Sequence, residues 1–203
     1  MEIVAKFFEN YPDVKLACRI AKSHKAEIYL VGGFVRDYLL NRARKDFDFA
    51  VSKNALKIAR RFARRIHGAF VLLDKERGCA RVVKKRRQDI LTFDFADFRD
   101  KTLAGDLSHR DFTINALCLN MNRLTNAGRL SDVLVDSRYG LRDLKSKKIA
   151  MVSKDAFKED PLRLIRAFSL RAQLAFEIDR RTLAQIKKDK SLIKKVSGER
   201  IRD

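Results

Sequence analysis

Residues 46–51, DFDFAV, alternate acidic and apolar side chains, and this alternation constrains the fold more than any other stretch of the chain. Because successive side chains of a β-strand point to opposite faces, Asp46 and Asp48 share one face. Phe47 and Phe49 share the other face, and we expect their rings to pack in the core. Two carboxylates this close repel each other unless a cation lies between them, and Mg²⁺ prefers carboxylate and phosphate oxygens. Taken alone, the pattern also fits an edge strand with a solvated acidic face.

The apolar run just upstream ends in two adjacent glycines, in YLVGGFVRDYLL (29–40). This pattern predicts a strand that turns at Gly32 and Gly33 into a short helix. Such a turn offers backbone N–H groups to an anion, and Arg36, one turn into the helix, can donate two hydrogen bonds to a phosphate. A glycine pair alone is weak evidence. Beside the carboxylate pair, however, it predicts a triphosphate-binding site next to a metal site.

The chain is strongly basic, with 46 basic and 26 acidic side chains and a formal net charge of +20. A charge this large implies a polyanionic partner. Nucleic acid is favoured over a membrane surface, because the basic residues run from one end of the chain to the other rather than along one amphipathic helix. No apolar run approaches the length of about 20 residues that crosses a bilayer. The first residues, MEIVAKFFENYPDVK, lack a signal-peptide core, so we expect a cytoplasmic protein.

The order of the predicted elements indicates an α+β fold. Strands and helices mix over residues 1–150, which we expect to form one domain, and residues 151–203 are predicted to be helical. Within the first part, NALKIARRFARRIHG (54–68) predicts an amphipathic helix with Asn54 as its N-cap.

Several segments together resemble the ordered motifs of one known family. They are YLVGGFVRDYLL with KDFDFAV, DLSHRDFTINAL, DSRYGLRDLKSKKI, EDPLRLIRAFSLRAQLAFEID and SGERIRD. In this order they are similar to the motifs of the class II tRNA nucleotidyltransferase and bacterial poly(A) polymerase family, within the polymerase-β-like superfamily. The resemblance implies a nucleotidyltransferase head, a mixed sheet with flanking helices, followed by an all-α neck. We expect these 203 residues to hold the head and neck but not the body and tail regions of the family.

The resemblance also implies which carboxylates are catalytic. Asp46 and Asp48 would hold the catalytic metal ions, expected to be Mg²⁺. A third carboxylate is expected on a neighbouring strand, in LTFDFADFR, where Asp94 is the preferred candidate and Asp89 the less favoured one. It would help to deprotonate the RNA 3′ hydroxyl or complete the metal site.

A second motif matches the family's RD pair. Arg110 and Asp111 in DLSHRDFTINAL occupy its positions, and the family pair is implicated in handling the ribose and phosphates of the nucleotide. Asn115 is expected to lie nearby. His109 stands where the family has a further arginine, which would weaken a phosphate contact or make it pH-dependent.

The segment from Glu159 onward is predicted to be a helix on which Asp160, Arg163 and Arg166 form one polar ridge, because they are three residues apart. An aspartate accepts a hydrogen bond from an amino group, and an arginine donates to a ring nitrogen or carbonyl oxygen. Cytosine and adenine present an amino donor beside a ring acceptor, whereas uracil and guanine present the reverse order. The resemblance therefore implies that the Asp–Arg pair selects C and A without a template. A solvated ion pair on a helix is the structural alternative.

Two departures from the family pattern bear on affinity and specificity. Ser169 stands where the family usually has another arginine, so a triphosphate contact depends on Arg171 or is missing. Only DKTLAG separates Arg99 from Asp106, and a segment this short resembles the CC-adding members rather than the CCA-adding ones.

Together these features predict a template-independent RNA nucleotidyltransferase that adds CMP to tRNA 3′ ends. The expected partners are the acceptor end of tRNA and CTP, with ATP left open, and no membrane. Addition of CC alone and addition of CCA both stay open. Poly(A) polymerase is the alternative within the family, and a non-catalytic basic RNA-binding module is the alternative outside it. Basic segments at 60–65, 84–87 and 187–195 are further candidates for phosphate contacts, although such segments are more often solvated faces.

Overall fold

The DFDFAV strand lies in the middle of a seven-stranded sheet. The computed structural model describes residues 7–42, 45–124, 127 and 129–202. These residues form two compact units, each assembled from two separate parts of the chain. We call them the sheet unit (Met1–Leu103 and Cys118–Val135) and the helical unit (Ala104–Leu117 and Asp136–Asp203). The domain boundary after residue 150 stays a prediction.

The seven strands of the sheet unit follow the order β3-β4-β5-β2-β1-β6-β7. They are β1 (Ile28–Val31), β2 (Asp46–Val51), β3 (Ala69–Asp74), β4 (Cys79–Arg86), β5 (Asp89–Asp97), β6 (Cys118–Asn120) and β7 (Leu134–Val135). The central neighbours β2 and β5 run parallel, whereas the other described neighbours run antiparallel. The mixed sheet with flanking helices confirms the predicted α+β class.

Short helices connect these strands. In the sheet unit they are α1 (Pro12–Ser23), α2 (Gly33–Leu39), α3 (Ala55–Ile66) and α5 (Met121–Leu124), with α4 (Leu103–Ser108) at the junction of the two units along the chain. The helical unit contains α6 (Gly140–Lys145), α7 (Ala156–Glu159), α8 (Arg163–Leu174), α9 (Arg180–Asp189) and α10 (Gly198–Arg202). It also has two short parallel strands, β8 (Lys148–Ile149) and β9 (Glu177–Ile178), so the segment predicted to be all-α includes one strand.

Stacked phenyl rings form the core of the sheet unit. Phe47 stacks on Phe93 with ring centroids 4.9 Å apart, and Phe49 stacks on Phe95 at 4.8 Å. Phe62 of α3 packs against both β5 rings, at 5.0 and 5.3 Å. All five rings are buried. The predicted core role of Phe47 and Phe49 is confirmed, and α3 covers the sheet face on which they lie.

Helix α3 starts differently from the prediction. Asn54 occupies the N-cap position, but its φ of 66° is left-handed and its side chain makes no capping hydrogen bond. Instead, Asp97 at the end of β5 accepts from the backbone N–H of Ala55 at 2.9 Å. A carboxylate from a distant strand therefore replaces the local cap.

The helices of the described residues are all too short or too polar to cross a membrane.

Candidate active-site residues

Three carboxylates project from the face of the sheet opposite the phenyl stack. Asp46 and Asp48 lie two residues apart on β2, so they share this face. In the parallel pairing of β2 with β5, Asp94 lies directly beside Asp48. Asp46 is exposed, whereas Asp48 and Asp94 are half-buried. The structure therefore brings all three predicted catalytic carboxylates together, while the function of each stays a prediction.

An arginine that the sequence did not single out lies among these carboxylates. Arg81 of β4 is the partner of Asp94 in the antiparallel pairing with β5 and donates to both of its carboxylate oxygens, at 2.8 Å each. This hydrogen bonding to Asp94 is the main reason why the pKa of Arg81 is raised, and the charges of Asp48 and Asp46 add to the effect. Arg81 thus offsets part of the negative charge that the face concentrates.

The less favoured third carboxylate, Asp89, lies at the exposed start of β5. It accepts from Lys45 at 2.6 Å. Asp46, by contrast, accepts a short hydrogen bond from Thr92, its neighbour on β5. Asp94, the pairing partner of Asp48, is therefore the candidate that the strand register supports.

The Asp46–Asp48 pair has the chemistry that a hard divalent cation requires. In the described residues no group of three or more carboxylate, imidazole or thiol side chains has the arrangement of a complete metal site. Mg²⁺ seldom requires a site of three or more protein side chains, because it is usually held by one or two carboxylates together with substrate phosphates and water. Two carboxylates on one open face fit that pattern.

The predicted phosphate-binding turn joins β1 to α2. Gly32 has φ 74° and ψ −142°, a conformation that glycine adopts readily and side-chain-bearing residues rarely do. Arg36 is only 2% exposed, and its guanidinium donates to the carboxylate of Asp37 at 2.8 and 3.0 Å. A Cβ added to Gly33 would lie 3.6 Å from Nη2 of Arg36. The buried guanidinium therefore lies beside the turn, and the predicted phosphate contact by Arg36 stays untested.

In the helical unit, Asp111 is the centre of a hydrogen-bond network. Its carboxylate accepts from the backbone N–H of Phe112 at 2.7 Å and from Nδ2 of Asn115 at 3.1 and 3.2 Å. Arg166 on α8 forms an ion pair with it at 2.9 Å. Asn115 thus lies beside Asp111 as predicted. Arg110 donates to the buried Asp106 at 3.2 Å.

Arg163 binds the backbone at Arg110, the first residue of the RD pair, and at the residue before it. Its buried guanidinium donates to the carbonyl oxygens of His109 at 2.6 Å, Arg110 at 3.4 Å and Ala156 at 3.0 Å. A charged donor shared among backbone carbonyls fixes their positions strongly. Arg163 is therefore a positioning residue in this structure, and its predicted contact with a base stays a prediction.

The prediction that Asp160, Arg163 and Arg166 lie on one helix was wrong for Asp160, whereas Arg163 and Arg166 both lie on α8. Helix α7 ends at Glu159, Asp160 is extended with φ −148° and ψ 102°, and α8 begins at Arg163. The cause is Pro161, because a proline disfavours the helical conformation of the residue before it. The carboxylate of Asp160 instead accepts from the backbone N–H of Leu162 at 3.2 Å and from Arg200 at 3.2 and 3.3 Å.

A family model described as "Poly A polymerase head domain" matches residues 28–150. The chain belongs to this family. The match confirms the family inferred from the motifs, whose nucleotidyltransferases generally use divalent metal ions. A second model, described as "Probable RNA and SrmB- binding site of polymerase A", matches residues 175–203.

Named relatives agree with this assignment. A CC-adding tRNA nucleotidyltransferase of Geobacter sulfurreducens is 41% identical over 196 residues, which are 97% of this chain and 43% of that protein. The solved structure of a tRNA-processing enzyme with CTP is 36% identical, with a TM-score of 0.76 over 91% of this chain and 49% of its own. The Thermotoga maritima CCA-adding enzyme complexed with tRNA is 32% identical, with a TM-score of 0.80 over 93% of this chain and 44% of its own. The chain thus spans less than half the length of these relatives.

Replacing Arg163 with Ala is expected to lower the free energy of unfolding by about 3 kcal/mol or more, because several backbone carbonyls lose a charged donor. Denaturant unfolding followed by circular dichroism measures this change. Arg171→Ala, an exposed position on the same helix, is the control and should change the stability by less than about 0.5 kcal/mol. Equal effects of the two substitutions would contradict the positioning role of Arg163.

Proposed function

We propose that this chain forms the nucleotidyltransferase part of an enzyme that adds CMP from CTP to the 3′ end of tRNA, without a template and in the presence of Mg²⁺. The main structural support for this proposal is the carboxylate face of the sheet, where Asp46 and Asp48 share one side of β2 and Asp94 lies beside Asp48. Membership of the poly(A) polymerase head-domain family supports the interpretation of this face as a nucleotidyltransferase active site. A cytoplasmic location is part of the same proposal.

In the proposed reaction, the RNA 3′ oxygen forms a bond to the α-phosphorus of CTP, the bond to the β-phosphate breaks and pyrophosphate leaves. Asp46 and Asp48 would hold Mg²⁺, which when bound stabilises the negative charge that develops on the phosphate oxygens. Asp94 was predicted either to take the hydroxyl proton or to complete the metal site. Both roles require Asp94 to give up at least part of its bidentate pairing with Arg81, so both are kept, and in the first role Asp94 accepts the proton that the 3′ hydroxyl loses.

Arg81 belongs to the proposed site as a charge-balancing group. It lies close enough to all three carboxylates for each of them to raise its pKa. Like charges on one face repel each other, and a fixed cation reduces that repulsion before any metal binds. We therefore propose that Arg81 orients Asp94 and keeps the face folded in the absence of nucleotide.

In the helical unit, Asp160 is the best-placed candidate for choosing the base. Its side chain is about one-third exposed, and its partner Arg200 is itself more than half exposed, so a nucleotide can replace this ion pair. A carboxylate accepts from the amino group of cytosine or adenine and has no complementary donor to offer uracil at that position. Arg166, held by Asp111, is the more exposed of the two arginines predicted to act with it.

Addition of CC rather than CCA is the favoured form of the proposal. Only residues 98–102 lie between the end of β5 and the start of α4, in agreement with the short segment on which this expectation rested. The relatives named as CC-adding enzymes support it. Other relatives are named A-adding and CCA-adding, so addition of the final A is kept as the second candidate.

Asp46→Asn and Asp48→Asn should each reduce incorporation of labelled CMP into tRNA lacking its 3′ CCA by at least roughly 100-fold, since even outer groups of a metal site cost up to that much. The measurement is product formation with CTP and Mg²⁺, resolved by size. Asp89→Asn is the control, because this carboxylate pairs with Lys45 at the exposed end of β5. Activity retained in both β2 variants would rule out the metal role.

Asp160→Ala should relax the preference for CTP over UTP, because the acceptor for the amino group is gone. The measurement is the ratio of kcat/KM for the two nucleotides on the same tRNA. Asp155→Ala removes an exposed carboxylate from the preceding segment and should leave the ratio unchanged. An unchanged ratio in Asp160→Ala would remove the selective role from this residue.

A further inference from the structure

The outer face of α3 is a continuous stripe of positive charge. The helix buries one side completely, through Ala55, Ile58, Ala59, Phe62, Ala63 and Ile66. Its exposed side carries five cations, namely Lys57, Arg60, Arg61, Arg64 and Arg65. The helix has no acidic residue at all. We refer to these five residues as the α3 stripe.

The charges of the α3 stripe are not neutralised by ion pairs within the part of the chain that the structure describes. Among the residues that the structure describes, none of its five cations forms an ion pair with an acidic side chain. Like charges four residues apart on a helix destabilise it, and the stripe contains three such pairs. The arrangement therefore costs stability unless an anionic partner binds there.

Open grooves flank the α3 stripe on both sides. Towards α1, Arg61 and Arg65 line a groove together with Arg19, and Arg61 donates to Oγ of Ser23 at 3.3 Å. Towards β3, a second groove is lined by Arg60, Arg64, His67 and Phe70. In this second groove the guanidinium of Arg60 lies 5.0 Å from the centroid of the Phe70 ring. An arginine and a partly exposed aromatic ring are thus available side by side.

The α3 stripe lies on the opposite side of the sheet from the catalytic carboxylates. Phe62 packs α3 against the rings of Phe93 and Phe95. These rings lie on one face of the sheet, and Asp48 and Asp94 lie on the opposite face. A nucleotide held at the carboxylate face therefore cannot reach the stripe. Any anion bound here contacts a separate surface of the sheet unit.

We propose that the α3 stripe binds the sugar-phosphate backbone of the RNA substrate at a distance from its reacting 3′ end. Four of the five cations are arginines, whose planar guanidinium groups match phosphate oxygens in pairs. The stripe is 12 residues, or ~18 Å, long, which suffices for several phosphates of one strand. The Arg60–Phe70 pair offers a stacking surface to an unpaired base, a feature that distinguishes RNA from a lipid headgroup or an acidic peptide.

This inference takes the identity of the RNA from the proposed function, so its test measures binding without nucleotide. The variant carries Arg60→Gln, Arg61→Gln, Arg64→Gln and Arg65→Gln. The control removes the same number of charges at exposed lysines elsewhere, through Lys25→Gln, Lys75→Gln, Lys101→Gln and Lys145→Gln. Affinity for tRNA lacking its CCA end is measured as a function of salt concentration, and circular dichroism verifies that each variant is folded.

Removal of these four arginines should reduce the magnitude of the slope of the log association constant against log salt concentration by about 3, since each phosphate contact contributes roughly 0.7–0.9. In the control variant the magnitude of the same slope should fall by less than about 1. Equal losses in both variants would overturn the proposal, because they would show that only the total charge matters. The outcome is independent of catalysis, so a chain that binds tRNA in this way but adds no nucleotide would refute the proposed function alone.

Two further measurements identify the ligand. Phe70→Ala changes no charge and should weaken binding of a single-stranded RNA oligonucleotide by roughly fivefold or more if a base stacks there. An unchanged affinity would overturn the stacking contact, even if the arginine variant failed to fold. Phosphatidylserine vesicles and polyglutamate should compete poorly with tRNA for the wild-type chain, and equal competition by either would overturn the assignment to RNA.

Discussion

The pairing of β2 with β5 is the constraint on which the rest of the sheet unit depends. Their parallel register places phenylalanine beside phenylalanine on one face and aspartate beside aspartate on the other. Because the side-chain period of a strand is two, a slip of one residue would bring carboxylates into the core and phenyl rings into water. The hydrophobic stack with Phe62 makes that slip costly. Burial of aromatic rings thus fixes the position of groups that have no packing role of their own.

The two faces of the sheet also separate the negative and positive charges of the sheet unit. One side of the sheet concentrates three carboxylates around Arg81, and the helix on the other side exposes arginine and lysine alone. A net charge of +20 is therefore not spread evenly over the molecule. Negative charge lies where a divalent cation is expected, and positive charge lies where a long polyanion has room. This distribution suits a protein that acts on one end of a nucleic acid and contacts it again elsewhere.

The periodic parts of the fold could be predicted from the sequence, because alternation and helical spacing reflect burial directly. The features that depended on long-range pairing could not. Arg81 lies beside Asp94 only because β4 and β5 pair in one register, and a single strand does not reveal that register. Arg36 was predicted to donate to a phosphate, but the sequence did not reveal that its guanidinium is buried against the carboxylate of Asp37. The extended conformation of Asp160 could have been found, since Pro161 follows it.

The central claim is that the carboxylate face serves selective nucleotide transfer, and end-product analysis tests it most directly. The chain is incubated with Mg²⁺ and each nucleoside triphosphate separately, on tRNA ending before CCA, after C and after CC. The account predicts that CTP extends the first substrate by two residues and the second by one, and that UTP and GTP extend none. Extension of the third substrate by ATP would identify CCA addition, and long adenosine tails would identify a poly(A) polymerase. Failure of CTP to extend the first two substrates, or equal use of UTP, would contradict the account.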